Sequence, residues 1–439
     1  MRFVFSKYFF AWFAVGLVIL SLSWGLPILR WIALLYDIAL IILALVDWRF
    51  SRLPVGVKIE REYGGRFAIG DKTEIILKIV NENTQKLRLR LKDEFPPQME
   101  LFGTREGGLE VEGQTVASLI YELKPPKRGR FEFGSVAVRY LSKLKLVWCQ
   151  TQLLEKKQVK VYPNIQRARE VELATLGAQS VVASQRRSIK RGEGREFESM
   201  RDYVRGDELR NISWTATARR GKLVTRQYQI ERDQTILVAL DAGRLMTGRI
   251  ENESKFDSAI QATLSLMSAA MRGGDNIGIA VFGRRIKKFL PPKRGVEQQE
   301  AALEMLHDIE PEMIEPSYSR AFEFISGHLK KRAMIVILTD LVDEEGSKEL
   351  LESLKLLRPR HLPVVVTIGD RDLRKNVQNA PSTIRELFTQ SAAEEVLYQR
   401  EAALKKIEIL GGLSLDVTTR TLAPSLLEAY LRIKERGLL

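Results

Sequence analysis

Cysteine is nearly absent. Cys149 stands alone among 439 residues, which excludes an internal disulfide framework and any multi-cysteine metal site. Histidine is almost as scarce: His307, His328 and His361 lie far apart, too few and too scattered for a histidine-rich zinc centre. No Gly-x-Gly-x-x-Gly follows a strand-like run, and "RGGDNIG" precedes a strand instead of opening a helix, which makes it a turn and not a phosphate cradle. Charge of one sign is lacking too. The 69 Lys and Arg exceed the 55 Asp and Glu for a net +14, yet both signs are mixed along the whole length. No basic run is studded with aromatics, so nucleic acid is not expected. The surplus suits anionic lipid or an acidic partner.

What the sequence does hold falls into regions of different character. "YFFAWFAVGLVILSLSWGL" (Tyr8 to Leu26) and "ILRWIALLYDIALIILALV" (Ile28 to Val46) are apolar runs of membrane-spanning length broken by Pro27. They predict a transmembrane helical hairpin over residues 1–50, with helices at about 8–26 and 28–46. A second span and the lack of a small-residue cleavage site argue against a signal peptide. Arg30 and Asp37 lie seven apart on one helical face, open to reading as an ion pair or as an interfacial arginine with its acid nearby. Arg2, Lys7, Arg49 and Arg52 at the outer ends outnumber Arg30 near the turn. By the positive-inside rule both ends and the soluble part are expected on the cytoplasmic side of the inner membrane.

Residues 51–165 change to short alternating runs such as "VKIEREY", "KTEIILKIVN" and "RFEFGSVAVRY", separated by turns at Gly70-Asp71 and Pro96-Pro97. This pattern predicts an antiparallel β-sandwich. Over 233–439 continuous apolar strands ("TILVALD", "IGIAVF", "AMIVILTD", "LPVVVTIGD", "LSLDVT") alternate with amphipathic helices. That alternation predicts a parallel sheet covered on both faces, an open α/β domain of Rossmann-like topology. Two of its strands end in aspartate, Asp241 and Asp340, at the sheet end where such folds take ligands. The pair could share one hard cation, or each could cap the element that follows.

Between sandwich and α/β domain lies a charged connecting motif, 166–232, whose centre reads "GREFESMRDYVRGDELRNISWTATARRGKLVTRQY". Asp202, Asp207 and Glu208 lie among Arg201, Arg205 and Arg210 about a turn that Gly206 permits, so these groups can pair bidentately in one fixed geometry, with Glu196 in the same motif. Trp214 beside Thr215–Ala218 reads as a buried anchor, with Arg219 closing the run. The motif is expected to act either as an interdomain latch or as a docking surface for a partner. Nothing near it supplies a nucleophile or a cradle for substrate, so catalysis is not expected.

A strand ending in aspartate, a later one ending Thr-Asp and this helix order resemble a von Willebrand factor A-type domain. There an Asp-x-Ser-x-Ser loop and a distant Thr and Asp hold a metal ion. Glu-Phe, Arg-x-Tyr, Gly-Asp, Arg-x-Ile-x-Trp and Ala-Arg, running into "RDQTILVALDAGRLM", resemble the bacterial family called domain of unknown function 58. The likeness runs from about Gly194 through the Asp340 loop. It implies company with MoxR-type AAA+ ATPases, and hence a non-enzymatic, membrane-tethered adaptor or interaction protein working with such an ATPase or its client. A structural scaffold of cell-envelope or cell-shape machinery, independent of any ATPase, is the alternative. One departure stands out: Gly243 and Leu245 occupy the two serine positions. What remains of the metal motif is Asp241, Ser317 or Ser319 in place of the threonine, and Asp340. With two hydroxyl ligands gone, no bound metal is expected and magnesium at most weakly.

Overall fold

The computed structural model describes residues 2–22, 24, 28–51, 56–186, 196–204, 209–229, 233–250, 253–341, 347–358, 360–369, 377, 381 and 383–438. They form two compact units, 1–162 and 163–439.

The first unit opens with a short strand, β1 (Arg2–Phe5), and two apolar helices, α1 (Lys7–Leu22) and α2 (Ile28–Phe50). The sequence expects helices at 8–26 and 28–46. Instead α1 has 16 residues, about 24 Å at 1.5 Å per residue, while α2 has 23 and continues to Phe50. Among the described residues α2 is the one helix long and apolar enough to cross a bilayer. Its Ala33, Leu40 and Ala44 are buried, and Trp31 and Leu35 are more than 70% exposed.

Both helices are tied to the sheets that follow. β1, which the sequence reading did not foresee, pairs antiparallel with β11 (Val147–Leu153), and the Ser6 N–H donates to Leu146 O at 2.9 Å. At the other end, buried Asp47 accepts from Ser51, from Ser142 and from the Leu144 N–H. The start of α1 and the end of α2 therefore meet the same 142–147 turn.

The remaining strands are β2 (Val57–Tyr63), β3 (Phe67–Ala68), β4 (Thr73–Asn81), β5 (Leu87–Asp93), β6 (Glu100–Phe102), β7 (Glu106–Val111), β8 (Thr115–Lys124), β9 (Gly129–Phe133), β10 (Val136–Leu141) and β12 (Lys157–Tyr162). They build sheets ordered β1-β11-β10-β5-β7 and β2-β4-β8-β6, with a small β3-β12-β9 sheet beside them. All pairs are antiparallel except β3 with β12. Alternation along β4 points Ile75, Leu77 and Ile79 inward, where they share one core with Leu89, Leu91, Val136 and Val138. Within that core Arg61 pairs bidentately with Asp93, which also accepts from Tyr121 at 2.5 Å. A buried charge so completed fixes sheet geometry rather than offering a site.

The second unit begins with α3 (Ile165–Arg186), β13 (Glu196–Asp202), α4 (Trp214–Arg220) and β14 (Val224–Gln229). Helix α3 packs on α5 (Lys255–Arg272), where Arg272 Nε meets buried Glu172 at 2.8 Å. After β15 (Thr235–Asp241) come the small β16 (Arg249–Ile250) and β17 (Glu253–Ser254), then α5, β18 (Asn276–Phe282), β19 (Ile286–Lys293), α6 (Val296–Leu306), α7 (Tyr318–His328) and β20 (Met334–Thr339). Helix α8 (Lys348–Leu357), β21 (Leu362–Gly369), the long helix Ile384–Ile409, β22 (Leu413–Thr418) and the helix Leu422–Glu435 follow.

The six-stranded sheet runs β19-β18-β15-β20-β21-β22. Five strands are parallel, and β19 is antiparallel to β18. The sheet is therefore mixed, not wholly parallel as its pattern suggests. β19 holds Pro291 and Pro292, which remove ladder donors and are tolerated there because the strand lies at an edge. From β15 the chain moves to one side through β18 and β19, then returns to the other side through β20, β21 and β22. The reversal falls between β15 and β20, and their carboxyl ends border the crevice where open α/β sheets bind ligands.

Candidate functional site at the switch point

Register places Leu240 opposite Leu338, so Asp241 and the Thr339-Asp340 pair emerge side by side at this crevice. Asp241 is 1% exposed. Its Oδ1 accepts from the Gly243 N–H at 2.7 Å, and its Oδ2 accepts from Thr339 Oγ1 at 2.6 Å and from the Tyr318 hydroxyl at 3.2 Å. Burial pushes this carboxyl up to about 6, against the pull of those three donors. The Tyr318 hydroxyl is raised as well, by burial and then by the Asp241 charge.

Asp340 is neutralised by side chains from two other elements. Lys255, the first residue of α5, places Nζ on Oδ2. Arg400 of the long helix donates Nη1 to Oδ1 at 2.8 Å, and Oδ1 also accepts the Leu341 N–H at 2.8 Å. Arg400 further donates Nε to Asp416 at 3.0 Å and Nη1 to Leu341 O at 2.8 Å. A lysine in the first turn of a helix opposes the helix dipole; here the carboxylate at the end of β20 compensates it.

These residues do not fit a divalent ion. An ammonium already sits on Asp340, and the loop after β15 has no room for a side chain at position 243. A Cβ on Gly243 would lie 2.7 Å from Pro316 Cδ and 3.1 Å from Ile314 O. Residues 312–317 are stitched over this loop by Arg244 N to Ile314 O at 2.8 Å and Glu312 N to Ala242 O at 2.9 Å, and to the loop after β18 by Ser317 N to Gly283 O at 2.9 Å. Among the described residues no group of three or more His, Cys, Asp or Glu side chains converges.

Of the three positions proposed from the sequence, Asp241 and Asp340 come together and Ser319 does not join them. Ser317 and Ser319 both donate to Glu349 of α8, at 3.0 and 3.1 Å, on an exposed surface. Tyr318 between them turns inward to Asp241 in their place. Sequence reasoning missed Tyr318, Lys255 and Arg400. A signal for Arg400 was present: it falls on the buried stripe of its helix with Ala393, Ala403, Leu404 and Ile407, where a charge needs a partner.

The charged motif folds as a hairpin, β13 against β14, with a bulge between Phe197 and Ser199. Between the strands lie a 3-10 turn, Leu209–Asn211, and α4, which ends at left-handed Gly221. Trp214 is not the buried anchor its neighbours suggest: opening α4, it is 67% exposed. The small residues beside it form one short helix with no buried side chain instead of a bed for the indole. Arg219 is exposed as well, and Arg201 donates to Asp202 O at 3.2 Å. Asp207 and the side chains of Glu196 and Arg210 lie outside the described residues, so the expected carboxylate–guanidinium knot does too.

Comparison with known proteins adds a family and some distant relatives. The family described as "Protein of unknown function DUF58" matches residues 199–376. "Uncharacterized protein YeaD" of Bacillus subtilis (strain 168) is 24% identical over 234 residues, 52% of this chain and 54% of that protein. This chain thus spans about half the length of that relative. "Uncharacterized protein Rv1480" of Mycobacterium tuberculosis (strain ATCC 25618 / H37Rv) is 22% identical over 227 residues, 50% of this chain and 71% of that protein. Among solved structures, the conserved hypothetical protein BatB from Bacteroides thetaiotaomicron aligns with 46% of this chain and 98% of its own, at 16% identity and a TM-score of 0.33.

Proposed function

Since the chain belongs to the DUF58 family through residues 199–376, we propose that it is a membrane-tethered interaction protein without catalytic activity. We read its α/β unit as von Willebrand factor A-like, and take a MoxR-type AAA+ ATPase, or a client of one, as its partner. The observation that carries this reading is the state of the switch-point crevice. Asp340 is held between Lys255 and Arg400, and Asp241 is enclosed by Thr339, Tyr318 and Gly243. Each carboxylate is buried and held by three donors, which suits a framework that fixes the loops around it for a partner to read.

The tether reading rests on α2 and on the shared turn. If the helix pair enters a bilayer, both of its ends leave on the same side, because both are fastened to residues 142–147. Arg2, Lys7, Arg49 and Arg52 favour the cytoplasmic side, at the inner membrane.

Two measurements test the reading. A reporter fused after Leu439 should signal from the cytoplasm, and a periplasmic signal would reject the orientation. The full chain, purified in detergent and mixed with the purified ATPase of the same cell, should form a complex whose stability depends on nucleotide. No binding at micromolar concentrations in any nucleotide state would reject the partner.

A further inference from the structure

The stretch from Asn211 to Ile230 contains four basic residues, Arg219, Arg220, Lys222 and Arg226, and no acidic one. The fold puts three of these cations on one exposed element. Arg219 and Arg220 close α4, Gly221 turns the chain in a left-handed conformation, and Lys222 leads into β14. Among the described residues no carboxylate pairs with Arg219, Arg220 or Lys222. Apolar side chains stand beside them in solvent. Trp214 starts the same helix, and Leu223, 44% exposed, follows Lys222. The Tyr203 N–H bonds Leu223 O at 2.8 Å, which brings exposed Val204 next to Leu223; exposed Leu209 opens the adjoining 3-10 turn. Scattered exposed apolar residues need no explanation. Four of them around three cations that no described carboxylate pairs, on so small an element, do.

We propose that this element, α4 with the start of β14, docks on the headgroup layer of an anionic bilayer. The chemistry of this element favours that occupant. An indole settles at headgroup level, aliphatic neighbours enter the acyl boundary, and arginine and lysine meet lipid phosphates. No carboxylate lies between Asn211 and Ile230, so the three cations outweigh exposed Asp202, which the hairpin register sets opposite Val224. A chain anchored by its own apolar helix meets that surface at high effective concentration, so weak contacts suffice. The inference rests on the bilayer-tether reading above.

The test uses the full chain in lipid nanodiscs. Native Cys149 is buried, so a Leu223→Cys variant takes one fluorophore at position 223, and an Ile409→Cys variant supplies a remote control. Retention of the chain with the discs tests the tether alone. Given retention, quenching at position 223 by lipids spin-labelled near the headgroup should rise when phosphatidylcholine is replaced in part by phosphatidylglycerol. It should fall again at high salt, and position 409 should not respond. Each cation is worth about fivefold in association, so R219Q/R220Q/K222Q should weaken docking on the order of 100-fold with unchanged melting temperature. Equal quenching in neutral and anionic discs would overturn the proposal. Protection of position 223 that requires added ATPase would overturn it too, and would give the surface to a protein. The salt titration of the otherwise unaltered chain keeps the proposal testable should the triple variant misfold.

Discussion

Arg400, sixteen residues into the helix Ile384–Ile409, donates Nη1 to Oδ1 of Asp340 at 2.8 Å, so a helix on one face of the sheet pins the end of its central strand. Both side chains are buried, 6% and 4% exposed. The guanidinium also reaches Asp416 at 3.0 Å, so one cation joins the ends of β20 and β22 across β21.

Removing that cation leaves two carboxylates short of a partner. Arg400→Met should destabilise the α/β unit by about 3 kcal/mol, the scale for breaking a buried pair from one side. Arg400→Met combined with Asp340→Asn should recover part of that loss, since the uncompensated charge is gone. Chemical denaturation of the full chain in detergent reads both. A single variant as stable as the parent would mean that water reaches the pair.

Asp241 gives a pH dependence of definite sign. Its folded value, about 6, lies above the ordinary carboxylate value of 3.8, so the folded state favours the protonated form. The stabilisation from that proton is fully present below about pH 4 and is lost as pH rises through about 6, a change on the order of 3 kcal/mol. Asp241→Asn stays neutral throughout, and Thr339 and Tyr318 can turn their hydroxyls to accept from its amide. The variant should therefore match the parent near pH 4 and exceed it in stability near pH 7.5. Parallel stability curves for the two proteins would show that Asp241 is not desolvated.

Much of this fold is legible in the sequence where one physical signal dominates. The alternation of Val57–Tyr63, the unbroken apolar run Thr235–Asp241 and the amphipathic period of Tyr318–His328 each mark an element at its observed bounds. β19 is not legible, because Pro291 and Pro292 argue against a strand and edge position decides otherwise. Neither is β1, four residues whose strand character depends on a partner almost 150 positions away. At the site, strand-end aspartates can be read from pattern alone. Their neutralisation cannot, since Lys255 and Arg400 reach Asp340 across 85 and 60 residues. Trp214 misleads for a related reason: small neighbours permit burial, but only tertiary structure supplies something to bury against.

Restoring a serine of the lost metal motif should fail for steric reasons. Gly243 has an ordinary φ of −88°, so the backbone accepts a side chain, but the space does not. With Pro316 Cδ at 2.7 Å and Ile314 O at 3.1 Å from the new Cβ, Gly243→Ser must push the 312–317 loop outward, at about 1–3 kcal/mol. Denaturation of the variant measures this. Unchanged stability together with a gain in magnesium affinity would show that the loop yields readily.

The last expectation concerns Lys255 as the cation already resident at the switch point. An ammonium on Asp340 and a divalent ion there exclude one another by charge and by space, so magnesium or manganese should bind the full chain no better than about millimolar. Stabilisation by ligand grows only as the logarithm of concentration over Kd, so added ion should leave the melting temperature nearly unchanged. Lys255→Ala removes the competitor and exposes Asp340 Oδ2, leaving Arg400 on Oδ1 alone; manganese affinity should rise in that variant while overall stability falls. Isothermal titration with manganese separates the cases. Micromolar binding by the parent chain, lost in Asp241→Ala, would mean that the ion displaces Lys255 and that the crevice remains a metal site. Equal, weak binding by parent and Lys255→Ala would mean that the missing hydroxyls at Gly243 and Leu245, and not the lysine, keep the ion out.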